Sequence, residues 1–167
     1  YETIVKMYFI EGVPFTFEIL KKLKYEKLNN SSINYLTQAG GKLNKDTLEY
    51  FSRLCKKLGQ EFIVMYGQTE ASPRISYLPF EDLDTKMGSI GIPIPNGALS
   101  ITDSEGRDIN TPFTEGEISY KGPNVMLGYA TSYDDLNLGD TQNGILRTGD
   151  IGYFDSENYF FITVLFL

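Results

Sequence analysis

Two patterns along the 167 residues point to an α/β front half followed by a mostly antiparallel β-subdomain. Up to about residue 74, helix-spaced apolar positions alternate with short apolar runs that end at glycines, the signature of a βαβ unit with parallel strands. From Ile75 onward Gly, Pro, Asn and Asp recur every few residues around short apolar runs. The expected division is 1–74 for the α/β portion and 75–167 for a β-rich, distorted barrel-like subdomain.

The first element opens at Pro14, a helix over Phe15 to Lys27 with Phe15, Ile19, Leu20 and Leu23 on its inner face. Asn29-Asn30-Ser31-Ser32 reads as a turn. Ile33 to Ala39 reads as a buried strand, ended by Gly40-Gly41. Asn44 is placed to cap the next helix, on which Leu48, Phe51, Leu54, Cys55 and Leu58 share a face, and Gly59 stops it. Phe62 to Tyr66 is a β-type run that breaks at Gly67. Later runs at Ala98–Ile101, Gly116–Tyr120, Gly152–Phe154 and Tyr159–Ile162 read as strands. Asp103–Gly106 and Asp155–Asn158 read as hairpin-like turns.

Composition excludes several functions. Fifteen Lys and Arg against 22 Asp and Glu leave a net charge of −7, which opposes a general nucleic-acid surface. There is no His, so Ser-His-Asp and Cys-His catalysis and His-ligated zinc are absent. The single Cys excludes an intrachain disulfide and a multi-Cys metal site. No apolar run approaches the roughly 18 residues of a membrane span. The opening residues have no basic leader or cleavage site, so a cytoplasmic setting is expected.

Three segments carry candidate chemistry. Tyr66-Gly67-Gln68-Thr69-Glu70 directly follows a strand. Tyr66 offers a flat π face, and Gly67 a tight turn open to close approach of a ligand. Thr69 offers a hydroxyl to a phosphate oxygen, and Glu70 a carboxylate to a hard cation such as Mg²⁺. The plain alternative is a strand-ending turn whose Thr caps the next segment. In Leu146-Arg147-Thr148-Gly149-Asp150, a strand restarts after Gly149, and Asp150 is suited to a pair of ribose hydroxyls. The alternative there is a Gly-Asp turn. Ala39-Gly40-Gly41-Lys42 ends a strand before a capped helix. Its backbone suits the edge of a planar base, against the alternative of a plain connecting turn. It is not a P-loop, because Leu36 and Leu43 stand where that pattern needs Gly and Ser or Thr.

Other features read as structure. Gly116 to Pro123, continuing through Tyr129, is a strand leaving by a Gly-Pro turn and mostly builds scaffold. Asp103, Glu105 and Asp108 resemble a calcium loop, but the spacing fails and the closing Glu is missing. Cys55 lies on the apolar helix face with no His to activate it.

Taken together, these segments resemble the adenylate-forming superfamily of acyl-CoA synthetases, luciferases and peptide-synthetase adenylation domains. The Tyr-Gly-x-Thr-Glu signature falls at Tyr66–Glu70. The Gly-Glu-[apolar]-x-x-x-Gly…Gly-Tyr signature runs from Gly116 through Tyr129, and Arg-Thr-Gly-Asp falls at Arg147–Asp150. Gly40-Gly41-Lys42-Leu43 resembles the family's adenine-side turn, and the likeness extends over roughly residues 12 to 163. The resemblance implies that Tyr66 stacks on adenine and that Gly40, Gly41 and Lys42 edge the base. It implies that Thr69 contacts the α-phosphate, that Glu70 holds Mg²⁺ and that Asp150 grips the ribose hydroxyls. Gly67 and Gln68 would lie near an acyl pocket walled by Gly88-Ser89-Ile90-Gly91. The implied reaction joins a carboxylate to ATP, releasing pyrophosphate, and passes the acyl group to the thiol of CoA or a carrier.

Two parts of the family pattern are missing from these residues. No Ser/Thr/Gly-rich phosphate loop precedes the adenine-side turn. After Thr163, where the family continues into Gly-Arg, a hinge acid and a small Lys-bearing lid domain, stand Val164-Leu165-Phe166-Leu167. The expectation is therefore a chain covering the middle and rear of the large N-terminal domain, truncated before the lid and inactive as an isolated fragment. A noncatalytic AMP-binding or interaction remnant of the same fold is the alternative. Exposed strand edges and the apolar end would favour self-association.

Overall fold

The computed structural model describes residues 8–165. The opening segment 1–7 and the terminal Phe166-Leu167, read from sequence as lacking a leader and as an apolar end, lie outside the described residues. The chain divides into two compact units, one of residues 8–66 with 78–88 and one of 67–77 with 89–165.

In the first unit, β1 (Tyr8–Gly12), β2 (Ile33–Gln38) and β3 (Glu61–Tyr66) pair in parallel, with Leu36 opposite both Ile10 and Phe62. Two helices, α1 (Pro14–Lys22) and α2 (Lys45–Leu58), make the crossovers. Parallel strands require such connections, and β2–α2–β3 is the expected βαβ unit. Asn44 caps α2 by accepting from the Thr47 amide at 2.8 Å. Leu48, Phe51, Leu54 and Cys55 of α2 are buried. Phe17, Phe51 and Phe62 form the aromatic centre of the core, with ring centroids 5.1 to 5.6 Å apart.

Three features differ from the sequence reading. Strand β1 was not expected; its Tyr8-Phe9-Ile10 run pairs along β2. Helix α1 ends at Lys22 rather than Lys27. Lys24 takes a left-handed conformation (φ 56°), and a 3-10 turn over Tyr25–Lys27 comes next. That turn delivers Tyr25 into the core against Phe51, with its hydroxyl on Gln60 Oε1 at 3.3 Å. The buried face of α1 is also not the expected one. Phe17 is fully buried, whereas Phe15 and Leu23 are 65% and 57% exposed.

In the second unit, β4 (Ser76–Leu78) pairs antiparallel with β5 (Ile92–Pro93) through Ser76 and Tyr77. A 4-stranded antiparallel sheet has the order β6 (Ala98–Thr102), β7 (Gly116–Lys121), β8 (Ile145–Phe154), β9 (Phe160–Val164). Ile101, Ile118, Tyr120, Leu146 and Phe160 are buried. Asp155 closes the β8–β9 hairpin by accepting from the Glu157 and Tyr159 amides at 2.9 and 3.0 Å. The expected restart of a strand after Gly149 is not what forms. Strand β8 is continuous, and Thr148, Gly149 and Asp150 stand opposite the single Ile118 of β7 as a bulge.

Among the described residues, no helix is long and apolar enough to cross a membrane.

Candidate functional site

The second unit brings two of the sequence segments together. Gln68 leaves the turn after β3 and sends its amide to the β8 bulge. Its Nε2 donates to the Thr148 carbonyl at 2.9 Å and lies 3.4 Å from Asp150 Oδ2. Residues 82 positions apart therefore meet at one point. Asp150 is fully buried. Its own amide donates to Thr148 Oγ1 at 3.1 Å, and that hydroxyl donates to the Ile118 carbonyl at 2.7 Å. Gly149 supplies φ 77°, a conformation open to glycine and costly for side-chain-bearing residues. The bulge is braced from outside by Glu117, which accepts from the Gly149 amide at 3.1 Å and from Arg147 Nε at 2.9 Å.

Gly67 makes the tight turn expected of it by letting the chain pass close to itself. A Cβ there would lie 1.7 Å from the carbonyl oxygen of Pro73. The close approach is made by the chain itself. Beyond it, Thr69–Ala71 form a 3-10 turn whose cap position is Gln68, with no side-chain capping bond. Thr69 is exposed on this turn and Glu70 half-buried.

The Asn124–Tyr129 segment holds that turn. Asn124 Nδ2 donates to the carbonyls of Ala71 and Arg74, the latter at 2.8 Å. Ser72 Oγ donates to the Asn124 carbonyl at 3.1 Å, and the Met126 amide to the Glu70 carbonyl at 2.8 Å. The Tyr129 hydroxyl donates to Glu70 Oε1. That bond is the chief reason the Glu70 carboxyl sits below the usual carboxylate range, and the residue's own amide adds to it. The same bond pushes the Tyr129 phenol up.

Glu70 has donor chemistry that a hard divalent cation such as Mg²⁺ could use. Such an ion takes one or two protein carboxylates and completes its shell with phosphates and water. Glu70 supplies one ionised, accessible carboxylate on a pinned turn. Among the described residues no group of three or more His, Cys, Asp or Glu gathers as a dedicated cage.

In the first unit, Gly40, Gly41 and Lys42 form an exposed turn after β2. Gly40 and Gly41 take φ 69° and 139°. Gln38, itself buried, braces the turn from beneath. Its Nε2 donates to the Gly41 carbonyl at 2.7 Å and to that of Ala39 at 3.2 Å. Tyr66, at the end of β3, is buried at 7% exposure.

Sequence reasoning missed Gln38, Glu117, Asn124 and Tyr129. The last three lay in plain view inside a signature segment read as scaffold; strand β7 is scaffold, but Asn124, Met126 and Tyr129 beyond it grip the Glu70 turn. The features set aside stay set aside. Asp103 accepts from the amides of Glu105 and Arg107 and pairs with the Arg107 side chain, a closed surface turn. Burial pushes the Cys55 thiol up to about 12, far from a reactive thiolate.

The α/β unit thus carries a braced Gly-Gly turn, and the antiparallel unit joins a bulged Arg-Thr-Gly-Asp to a Thr-Glu turn. Residues 4–130 match the family described as AMP-binding enzyme, and the chain belongs to that family. Among its relatives it is acyl-CoA synthetase-like. It is 34% identical over 151 residues to a long-chain-fatty-acid–CoA ligase of Escherichia coli O6:H1, covering 90% of this chain and 26% of that protein. It is 39% identical over 132 residues to a 2-succinylbenzoate–CoA ligase of Bacillus cereus, covering 79% and 26%. The o-succinylbenzoate CoA synthetase of Bacillus subtilis, solved in complex with AMP, superposes with a TM-score of 0.75 at 31% identity over 93% of this chain and 31% of that one. The same enzyme has been solved with ATP and magnesium ion, at a TM-score of 0.73 and 32% identity over 92% and 30% of the two chains. The chain thus spans 26% of the length of these curated relatives.

Proposed function

We propose that this chain forms part of the nucleotide site of an ATP-dependent acyl-adenylate-forming ligase that passes its acyl group to CoA or a carrier thiol. The carrying observation is the meeting of Gln68 with Thr148 and Asp150, which joins two signature segments from distant parts of the sequence. The kinship with CoA ligases, one of them solved with AMP and with ATP and magnesium ion, supports the same reading.

In the proposed reaction a carboxylate oxygen of the acid bonds to the α-phosphorus of ATP. The bond from that phosphorus to the bridging oxygen breaks, and pyrophosphate leaves. A thiol sulfur then bonds to the acyl carbon, its proton is lost, and AMP departs. The electrostatic obstacle is the approach of one anion to another. A divalent cation lowers it by withdrawing charge from the phosphate oxygens. Glu70 would anchor that cation and Thr69 would donate its hydroxyl to an α-phosphate oxygen. Asp150 would accept from the ribose hydroxyls. Tyr66 would stack on the adenine, with Gly40, Gly41 and Lys42 at the base edge. Gly67 and Gln68 would lie toward the acyl group, with Gly88–Gly91 as its wall.

These 167 residues by themselves would bind nucleotide without turning it over, since they align with only 26% of each curated relative. A cytoplasmic setting belongs to the same reading, as does self-association through strand edges. Sedimentation over a concentration series checks the association.

The test of the site is isothermal titration with AMP and with ATP–Mg²⁺ on this chain and on Asp150→Asn, with folding monitored by circular dichroism. Saturable binding that the folded variant loses supports the reading. Equal binding by both removes Asp150 from the site, and no binding by the folded parent removes the nucleotide role. Nucleotide-dependent pyrophosphate release by the isolated chain would overturn its expected inactivity.

A further inference from the structure

We propose that Tyr129 is the positioning residue that sets the Glu70 carboxylate for a nucleotide-borne divalent cation, a role that rests on the nucleotide reading above. The phenol donates to Glu70 Oε1 although Tyr129 is 70% exposed, so core packing is not what holds it there. The segment that delivers it is hydrogen-bonded on two sides. The Met126 amide ties the two backbones together at the Glu70 carbonyl, 2.8 Å away. The Leu127 carbonyl accepts from both the amide and the hydroxyl of Thr141, at 2.7 and 2.9 Å. A Cβ on Gly128 would lie 2.4 Å from that same hydroxyl oxygen. The phenol therefore reaches the carboxylate from a hydrogen-bonded base.

The chemistry of the donor decides the role. A Lys or Arg in this place would neutralise Glu70 and compete with a cation. A phenol orients the carboxylate through one lone pair and leaves its charge in place. Hydrogen bonds of this kind to metal-binding carboxylates fix ligand orientation, and losing one costs about 10-fold or more in metal affinity.

The experiment compares this chain with Tyr129→Phe, Glu70→Gln and the double variant, using Mn²⁺ as the probe ion. Paramagnetic resonance gives Mn²⁺ binding in the presence of ATP, and calorimetry gives ATP binding without metal. The expected result is that Tyr129→Phe lowers the ratio of metal-loaded to metal-free ATP affinity about 10-fold, and changes nothing further when Glu70 is already Gln. An unchanged ratio, or an equal loss in the Glu70→Gln background, overturns the proposal. A second readout needs no nucleotide. With ¹³C-carboxyl-labelled Glu, the resonance that vanishes in Glu70→Gln is expected to shift in Tyr129→Phe. An unmoved resonance overturns the contact itself. A shifted resonance in a chain that binds no nucleotide overturns the nucleotide reading and the cation role with it, while the contact stands.

Discussion

The carboxylate of Glu117 on β7 spans the bulge of β8, taking the Gly149 amide at 3.1 Å and the Arg147 guanidinium beside it. Arg147 is half exposed, so the pair itself adds only about 0–1 kcal/mol to stability. Its effect is geometric, because it fixes the residue before Asp150 in a left-handed conformation. Glu117→Gln keeps the shape and removes the charge. We expect AMP affinity to fall roughly 3–10-fold, the equivalent of one weakened charged hydrogen bond, with a melting temperature close to the parent. A large loss of stability with unchanged affinity would show the reverse assignment.

Gly67 faces backbone on the side where a Cβ would project. The Pro73 carbonyl oxygen would be 1.7 Å away and its carbon 2.7 Å away, neither on a flexible side chain. Gly67→Ala must therefore move the Gly67–Arg74 turn as a whole. The expected cost is about 3 kcal/mol or more, read as a fall in the urea midpoint. A variant as stable as the parent would mean that the approach is not as close as described.

Asn124 makes its contacts with the opposite chemistry at its two ends. Its amide nitrogen donates to the Ala71 and Arg74 carbonyls, and its oxygen accepts from the Tyr120 hydroxyl at 2.7 Å. Asn124→Ala strands these partners, at a cost of about 1–3 kcal/mol each where water cannot replace it. Asn124→Asp keeps the acceptor for Tyr120 but turns a carboxylate toward two carbonyls. Urea unfolding is expected to rank parent, Ala, Asp in falling stability at neutral pH. Asp more stable than Ala would show that the amide donations matter little.

Much of the fold was legible in advance because local rules agreed with it. Asn44 and Gly59 bound α2 where capping chemistry puts them. Strands β6, β7 and β9 fall on the short apolar runs between turn residues. The misreadings have a common origin in contacts that no local window contains. Phe17, rather than Phe15 or Leu23, is buried because its partners Phe51 and Phe62 lie far along the chain. Thr148–Asp150 bulge because Glu117 and Ile118 receive them across the sheet. Asn124 and Tyr129 read as ordinary turn and strand-end residues until their targets, more than fifty positions upstream, stand beside them.

The ion pair of Asp84 with Lys56, at 2.5 Å, gives a pH signature whose sign is set by the direction of one shift. Lys56, first, and the Ser52 hydroxyl, second, hold the Asp84 carboxyl below its ordinary value. A depressed folded value means the unfolded chain binds the proton more readily. The contribution is therefore fully present above the unfolded value of about 4, and it is lost as pH falls through the lower folded one. Both side chains are substantially exposed, which limits the pair to about 0.2–1 kcal/mol. Asp84→Asn removes it while keeping an acceptor for Ser52. The difference in unfolding free energy between parent and variant should be flat from pH 7 to about 5, and should shrink toward zero below about 4. Added salt should reduce the plateau without moving the pH at which the difference begins to fall by more than a few tenths. A difference that grew on acidification would mean that Asp84 is harder to ionise in the folded chain, the opposite of what its contacts with Lys56 and Ser52 dictate.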